Sequence, residues 1–291
     1  MTSYNPKRSI AFMHIPKCAG SSFRISLMAG VNITRSIDLV DPLLFGGKDH
    51  FFTMSDLAKQ NILFGENFVE AGVDLVSGHL MYSTIAHHFT DTQFITILRE
   101  PSSRILSHWL YWRGFSDESL SGFGSYAEII RAARGTLYNF LNNRWASPQI
   151  DNLFVRMLLS PHHLIPMDDF IPFDYDHEIL SLAIDKLRQF EWVGLVEDPE
   201  MLQRCTRWLK KSVPQVFTNK TQLVPFQYRS PLASHLEESA IELLEARSRL
   251  DSVIWKHVAS GIFADVEALR LRTVMKNISK FSELMSFQVP N

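Results

Sequence analysis

Ten residues near the start of the chain, "HIPKCAGSSF" (14–23), combine the features of an anion-binding loop. They follow a short apolar run, and they place small residues and two serines beside Lys17 before a segment with a helical pattern. Backbone N–H groups in such a turn and at a helix N-terminus can approach a phosphate, and a lysine adds a mobile positive charge. The nucleoside triphosphate loop G-x-x-x-x-G-K-[ST] places its lysine after the glycine, whereas Lys17 precedes Gly20. A tight turn with a solvated lysine is the alternative interpretation.

A second candidate is "LREPSSRILSHW", in which Arg99 ends an apolar, β-branched segment. A proline suited to the first turn of a helix follows, and Ser107 comes roughly two turns later. Arginine favours bidentate contact with phosphate, although Arg99 could instead pair with an acidic neighbour such as Glu100 or Glu197. One ligand with two separated phosphates would explain both this segment and the first loop.

A histidine in "SGHLMYS" is the candidate general base, because His79 directly follows another apolar run. Neutral imidazole can remove a proton from a hydroxyl near neutral pH, although a lone histidine is more often structural. His87, His88 and Glu66 are rivals for this role. His14 is interpreted as structural, with its ring held near the end of the first strand.

The elements that would position these residues alternate between strands and helices. The apolar runs predict buried strands at 9–15, 73–79, 93–100 and 191–197, with helices between them and loops with short helices over 31–70. This alternation predicts an α/β fold with a central, mainly parallel sheet flanked by helices. Ligands of such sheets bind beyond the carboxyl ends of the strands, which is where the three candidate segments lie.

Composition limits the class of protein. The chain has 291 residues and a formal net charge of -2, so bulk electrostatics does not favour a nucleic-acid partner. Its two cysteines, Cys18 and Cys205, do not form a disulfide framework and favour a reducing compartment. The N-terminus has no long apolar signal region, and no apolar run approaches the roughly 18 residues of a membrane span. We therefore expect a cytoplasmic protein without a membrane span.

The two phosphate-binding candidates together resemble a known family. "HIPKCAGSSF" looks like the 5′-phosphosulfate loop of sulfotransferases that use 3′-phosphoadenosine 5′-phosphosulfate (PAPS). It is similar to the carbohydrate branch related to heparan sulfate 2-O- and 6-O-sulfotransferases, whose loop typically reads His-x-Pro-Lys-Thr-Gly-Gly-Thr-Ser. "LREPSSRILSHW" resembles the 3′-phosphate segment of that family. Weaker resemblances follow in the family order, in "SGHLMYS", "DNLFVRMLLS", "FEWVGLVEDPEML" and "LLEARSRLDSVIWKHV".

The resemblance implies a fold, a reaction and a set of residue roles. The fold would be a three-layer P-loop-like domain over 1–291, with a helical insertion around 115–170 and a C-terminal helical cover around 234–285. PAPS would be the co-substrate without a metal, Lys17 would stabilise charge on the departing phosphate, and His79 would be the base. The residues implied to bind PAPS are Lys17, Cys18, Ala19, Gly20, Ser21, Ser22, Arg99 and Ser107.

This sequence departs from the family pattern at two loop positions. Cys18 and Ala19 replace the usual threonine and first glycine, and alanine would be strained wherever the backbone needs a positive φ.

The acceptor and the reaction class stay open. The acceptor would carry a hydroxyl on a saccharide, a glycolipid or a small molecule. "RAARGTLYNFLNNRW" (131–145) suits sugar stacking and hydrogen bonding, and it equally suits an ordinary helix with a solvated basic face. A small-molecule or nucleotide kinase would need a lysine after the glycine and an aspartate for Mg²⁺ at a strand end. A non-catalytic nucleotide-binding homologue is the third possibility.

Overall fold

The computed structural model describes residues 3–63, 72–216 and 223–286. It contains one five-stranded sheet. The strands are β1 (Ser9–Met13), β2 (Ser36–Val40), β3 (Leu75–His79), β4 (Thr92–Leu98) and β5 (Trp192–Leu195). The sheet order is β2-β3-β1-β4-β5, and every pair is parallel. The predicted α/β class with a central parallel sheet flanked by helices is therefore confirmed, and all five carboxyl ends meet at one edge.

Four of the five strands were predicted, and β2 was not. Residues 31–70 were expected to contain only loops and short helices, which is wrong for Ser36–Val40. β2 is an edge strand in which only Leu39 is buried, so its sequence lacks the apolar run that marks a central strand. β4, in contrast, is buried along its whole length and rich in β-branched residues.

Helices occupy most of the remaining described chain. The α-helices are α1 (Gly20–Val31), α2 (Lys48–Thr53), α3 (Asp56–Lys59), α4 (Tyr82–His88), α5 (Pro101–Arg113), α6 (Asp117–Leu120), α7 (Tyr126–Arg131), α8 (Leu137–Leu141), α9 (Ser147–Ile150), α10 (Leu153–Leu159), α11 (Asp176–Leu187), α12 (Met201–Leu209), α13 (Glu238–Ser260) and α14 (Val266–Met285). Short 3₁₀ turns connect several of them, including Pro42–Phe45 after β2.

Three apolar clusters form the core. One buries α4, α10, α11 and α13 against one face of the sheet, and a second buries α1 and α12 against the other face. The third contains no strand residue and joins α5, α7 and α8 to the ends of α13 and α14. Because α5 begins directly after β4, this third cluster connects to the carboxyl edge of the sheet. The division into one domain with an insertion stays a prediction.

No helix among the described residues combines the length and the apolar character needed to cross a membrane.

Candidate functional site

The loop between β1 and α1 has an unusual backbone. Lys17 (φ 70°) and Ala19 (φ 58°) both adopt positive φ, and Ala19 precedes the first residue of α1. Ser21 and Ser22 lie inside the first turn of this helix, and its cap residue, Ala19, makes no side-chain cap bond. A left-handed conformation costs a non-glycine residue about 1–2 kcal/mol, so other contacts must hold the loop in place.

One such contact involves the single glycine of the loop. A Cβ on Gly20 would lie 1.9 Å from Cδ2 and 2.2 Å from Nε2 of His14, so the His14 ring occupies the space of a side chain. The ring is buried and stacks on Phe12 with a centroid distance of 5.5 Å. Burial, with the neighbouring His79, lowers the pKa of His14 well below its usual range. These contacts agree with a structural role for a neutral His14.

Cys18 faces the core, although it was expected to contact the nucleotide. Its N–H donates to the carbonyl of Ile15 at 3.2 Å, and its buried thiol borders a cavity of about 10 Å³ between the loop and α13. Burial raises the pKa of the Cys18 thiol to about 12. In this geometry Cys18 shapes the loop, and the N-terminus of α1, with Ala19 and Ser21 exposed, is the accessible part.

Lys17 has contacts at its backbone carbonyl and at its side-chain ammonium. Its carbonyl accepts a hydrogen bond from Arg99 Nη1 at 3.1 Å, and its ammonium lies 3.9 Å from the centroid of the Tyr111 ring. Burial, followed by the charge of Arg99, lowers the pKa of Lys17 to about 8. The lysine is therefore mostly charged at neutral pH, at a site that disfavours this charge.

Arg99 connects three elements. It follows β4, donates through Nη1 to the loop carbonyl of Lys17, and donates through Nη2 to Asn277 Oδ1 of α14 at 2.9 Å. Arginine has five N–H donors, so these two bonds leave others for a ligand. No sequence pattern indicated Asn277, which lies 178 residues from Arg99 along the chain.

The two carboxylates proposed as alternative partners of Arg99 have other hydrogen bonds. Glu100 caps α5 by accepting the N–H groups of Ser102 and Ser103 at 3.2 and 2.7 Å. Glu197 accepts the N–H of Glu100 at 2.9 Å and the indole N–H of Trp255 at 3.2 Å. Both carboxylates therefore fix the start of α5, the helix that carries Ser107.

Ser107 lies on the same face of α5 as the ring that contacts Lys17. Tyr111 follows Ser107 by four residues, and side chains with this spacing on a helix lie about 5–6 Å apart at Cβ. Ser107 is half-buried and Tyr111 is 37 % exposed. The structure therefore brings Lys17, Arg99 and Ser107 to one region. Tyr111 could have been found from the helical spacing.

His79 ends β3, next to the first residue of the loop. Its Nδ1 lies 2.6 Å from the carbonyl oxygen of His14. Because a carbonyl only accepts, Nδ1 carries the proton and Nε2 keeps a lone pair. Burial lowers the pKa of His79, although the bond to His14 opposes this shift. A neutral imidazole with a free Nε2 is the form that a general base requires.

A polar group from α1, β2 and β3 lies beside this histidine. Arg24 Nε donates to Ser77 Oγ at 2.7 Å, and Ser77 Oγ donates to Asp38 Oδ1 at 2.9 Å. The charge of Asp38 opposes the burial that lowers the pKa of His79. The sequence could not place Asp38 here, because β2 itself was not predicted.

Two of the rival bases, His87 and His88, are not at this edge. His87 and His88 are the last residues of α4, which begins after the carboxyl end of β3 and leads back to the start of β4 at Thr92. They therefore lie toward the opposite edge of the sheet. Glu66 lies outside the described residues.

The basic segment 131–145 has less free charge than its sequence indicates. Arg131 and Arg134 both bind Asp117 Oδ1, at 3.0 and 2.9 Å. Arg144 stacks on Trp145 with its guanidinium 4.5 Å from the ring centroid, and Trp145 is 42 % exposed. The segment thus offers aromatic surface more than an open cluster of cations.

Neither a family model nor a curated protein matches this chain.

Proposed function

We propose that this chain transfers a sulfuryl group from PAPS to a hydroxyl of a saccharide, a glycolipid or a small molecule, and releases 3′,5′-ADP. The observation that carries the proposal is the 3.1 Å hydrogen bond from Arg99 to the carbonyl of Lys17. This bond joins two cations from neighbouring strand ends beside the N-terminus of α1. Such a group of donors suits a ligand with two separated phosphates on a P-loop-like core.

The donor set fits the co-substrate. The N-terminus of α1, with Ala19, Gly20, Ser21 and Ser22, would hold the 5′-phosphosulfate, since helix N-termini bind anions through free N–H groups. Cys18 would contribute the shape of the loop. Arg99 and Ser107 would hold the 3′-phosphate. No metal enters this proposal.

Sulfuryl transfer assigns a task to each remaining group. The acceptor oxygen forms a bond to sulfur, while the bond from sulfur to the bridging phosphate oxygen breaks. His79 Nε2 accepts the hydroxyl proton, and the ammonium of Lys17 stabilises the negative charge that develops on the departing phosphate. The neutral His79, with its proton held on Nδ1 by the His14 carbonyl, supports this assignment.

The test compares ligands in a thermal-shift measurement. We expect 3′,5′-ADP to stabilise the protein and ATP–Mg²⁺ to have little effect. Saturation at a hundredfold excess over Kd stabilises a protein by about 2.7 kcal/mol. Arg99→Ala should remove the shift, whereas Arg144→Ala, on the Trp145 surface, is the matched control. Transfer is then measured with labelled PAPS and a panel of hydroxyl acceptors.

The outcomes separate the three classes of protein. Stabilisation by ATP–Mg²⁺ alone would favour a kinase. Binding of 3′,5′-ADP without transfer to any acceptor of a wide panel would favour a non-catalytic binding protein. Transfer that depends on Lys17 would support the sulfotransferase.

A further inference from the structure

The contact between Lys17 and Tyr111 has no role in the proposed reaction as described so far. The ammonium nitrogen lies 3.9 Å from the ring centroid, well inside the range of a cation–π interaction. Across residues 3–63, 72–216 and 223–286, no ion pair between Lys17 and a carboxylate is present. The half-buried cation is therefore stabilised by an aromatic face.

Tyr111 contacts the lysine as a neutral ring. Burial raises the pKa of Tyr111, so its hydroxyl stays protonated at neutral pH. The favourable part of the contact is the electron-rich face of the ring, which phenylalanine also has and an aliphatic side chain lacks.

An aromatic partner suits a lysine that must later contact an anion. Cation–π interactions change an equilibrium by a factor of roughly 2 to 30. A carboxylate partner at the same place would cancel the charge of Lys17, and an incoming anion would have to displace it. The ring keeps the ammonium charged and leaves its positive potential free to attract an anion.

The backbone of Lys17 cannot set the position of the ammonium. Its carbonyl is fixed by Arg99, and its φ of 70° is set by the loop. The side chain of Lys17 can move, and the Tyr111 ring determines the position of its ammonium in the free protein. Ser107, one turn earlier on α5, lies on the same face of the helix as Tyr111.

We propose that Tyr111 is a positioning residue, whose ring holds the charged ammonium of Lys17 at the mouth of the anion site until the anionic co-substrate binds. The identity of that anion rests on the proposed function. The geometry of the Lys17–Tyr111 pair in the free protein does not depend on that function.

The direct test measures the pKa of Lys17 in the unliganded protein. Competitive amine labelling across a pH series, read by peptide mass spectrometry, gives this value for a single lysine. We expect Tyr111→Leu to lower the pKa by about 0.5 to 1.5, and Tyr111→Phe to retain the wild-type value. Tyr111→Met provides a second aliphatic variant. Lys256, which pairs with Glu267, is the internal control.

A second measurement follows the binding of 3′,5′-ADP by calorimetry at two pH values. Lowering the pKa of Lys17 from about 8 to about 7 reduces its charged fraction about fivefold at pH 8, and only slightly at pH 6.5. Tyr111→Leu should therefore lose several-fold affinity at pH 8 and little at pH 6.5, and Tyr111→Phe should restore the wild-type profile.

The two measurements distinguish the two proposals. An unchanged or raised pKa of Lys17 in both aliphatic variants, or an equal shift in Tyr111→Phe, would overturn the role of the ring. If the wild-type protein did not bind 3′,5′-ADP but the pKa shift were present, the proposed function would fail and the positioning of Lys17 would stand.

Discussion

Replacing Ala19 with glycine tests the backbone of the candidate anion loop. Ala19 has φ 58° and ψ 16°, a conformation in which its Cβ approaches the following carbonyl oxygen. Glycine adopts the same conformation without this contact. Because Ala19 is exposed, its methyl group contributes little packing that the substitution would remove. The change therefore isolates the strain of one residue.

The magnitude follows from two opposing effects. Relief of the left-handed strain gains about 1–2 kcal/mol, and the greater freedom of glycine in the unfolded chain costs about 0.4–1 kcal/mol. We expect Ala19→Gly to raise the free energy of unfolding by between about 0 and 1.5 kcal/mol. The control is Ala246→Gly in the middle of α13, where the same chemical change should lower it by about 0.8–1.0 kcal/mol.

Urea unfolding followed by tryptophan fluorescence measures both variants. The decisive quantity is their difference, which we expect to be about 1–2.5 kcal/mol in favour of Ala19→Gly. Since both variants add a glycine to the unfolded chain, that contribution largely cancels. If Ala19→Gly were destabilised as much as Ala246→Gly, Ala19 would not be left-handed, and the described geometry of the loop would be wrong.

Three further predictions concern the site. Lys17→Met should abolish transfer yet raise the free energy of unfolding at pH 7, measured in urea, by roughly 1–3 kcal/mol. Burial lowers the pKa of Lys17 to about 8, so at pH 7 the folded protein carries a charge that its surroundings disfavour. A destabilised variant would contradict this. Arg99→Ala should weaken 3′,5′-ADP binding about 10- to 150-fold by calorimetry, whereas Asn277→Ala, which removes only the α14 partner, should change it by no more than a few-fold. His79→Gln should lose turnover and keep nucleotide affinity. Since burial lowers the pKa of His79, the kcat of the wild-type protein should persist below pH about 6.5 and fall only as this histidine becomes protonated. A pH profile of kcat with its midpoint above about 6.5 would argue against this base.

The sequence predicted the strands whose two faces are buried. "QFITIL" in β4 is apolar on both faces, and its period and composition indicate a central strand. "SIDLV" in β2 has one fully buried residue, Leu39, and keeps Asp38 exposed, so it lacks an apolar run. Its strand conformation depends on pairing with β3, which is a tertiary interaction that no local pattern reports.

Some residues of the candidate site could be predicted from the sequence, and others depend on tertiary packing. Lys17, His79 and Arg99 could be placed from the sequence, because each follows an apolar run that ends at one edge of the sheet. Tyr111 could have been found from its helical spacing to Ser107. Asn277 could not have been found, since it lies 178 residues from Arg99 along the chain and the packing of α14 in the first and third clusters brings the two together.

The loop and the proposed binding site share the same atoms. Two left-handed residues, Lys17 and Ala19, are stable there only because neighbouring groups hold them, and the neighbour that fixes the Lys17 carbonyl is Arg99. Arg99 therefore orders the loop as well as offering charge to a ligand. A loss of affinity in Arg99→Ala would contain both effects, because the loop must be reordered before it binds. Tyr111 differs, since its ring contacts the ammonium of Lys17 and not the loop carbonyl that Arg99 binds, so we expect its variants to report on the position of the charge while the backbone of the loop stays intact.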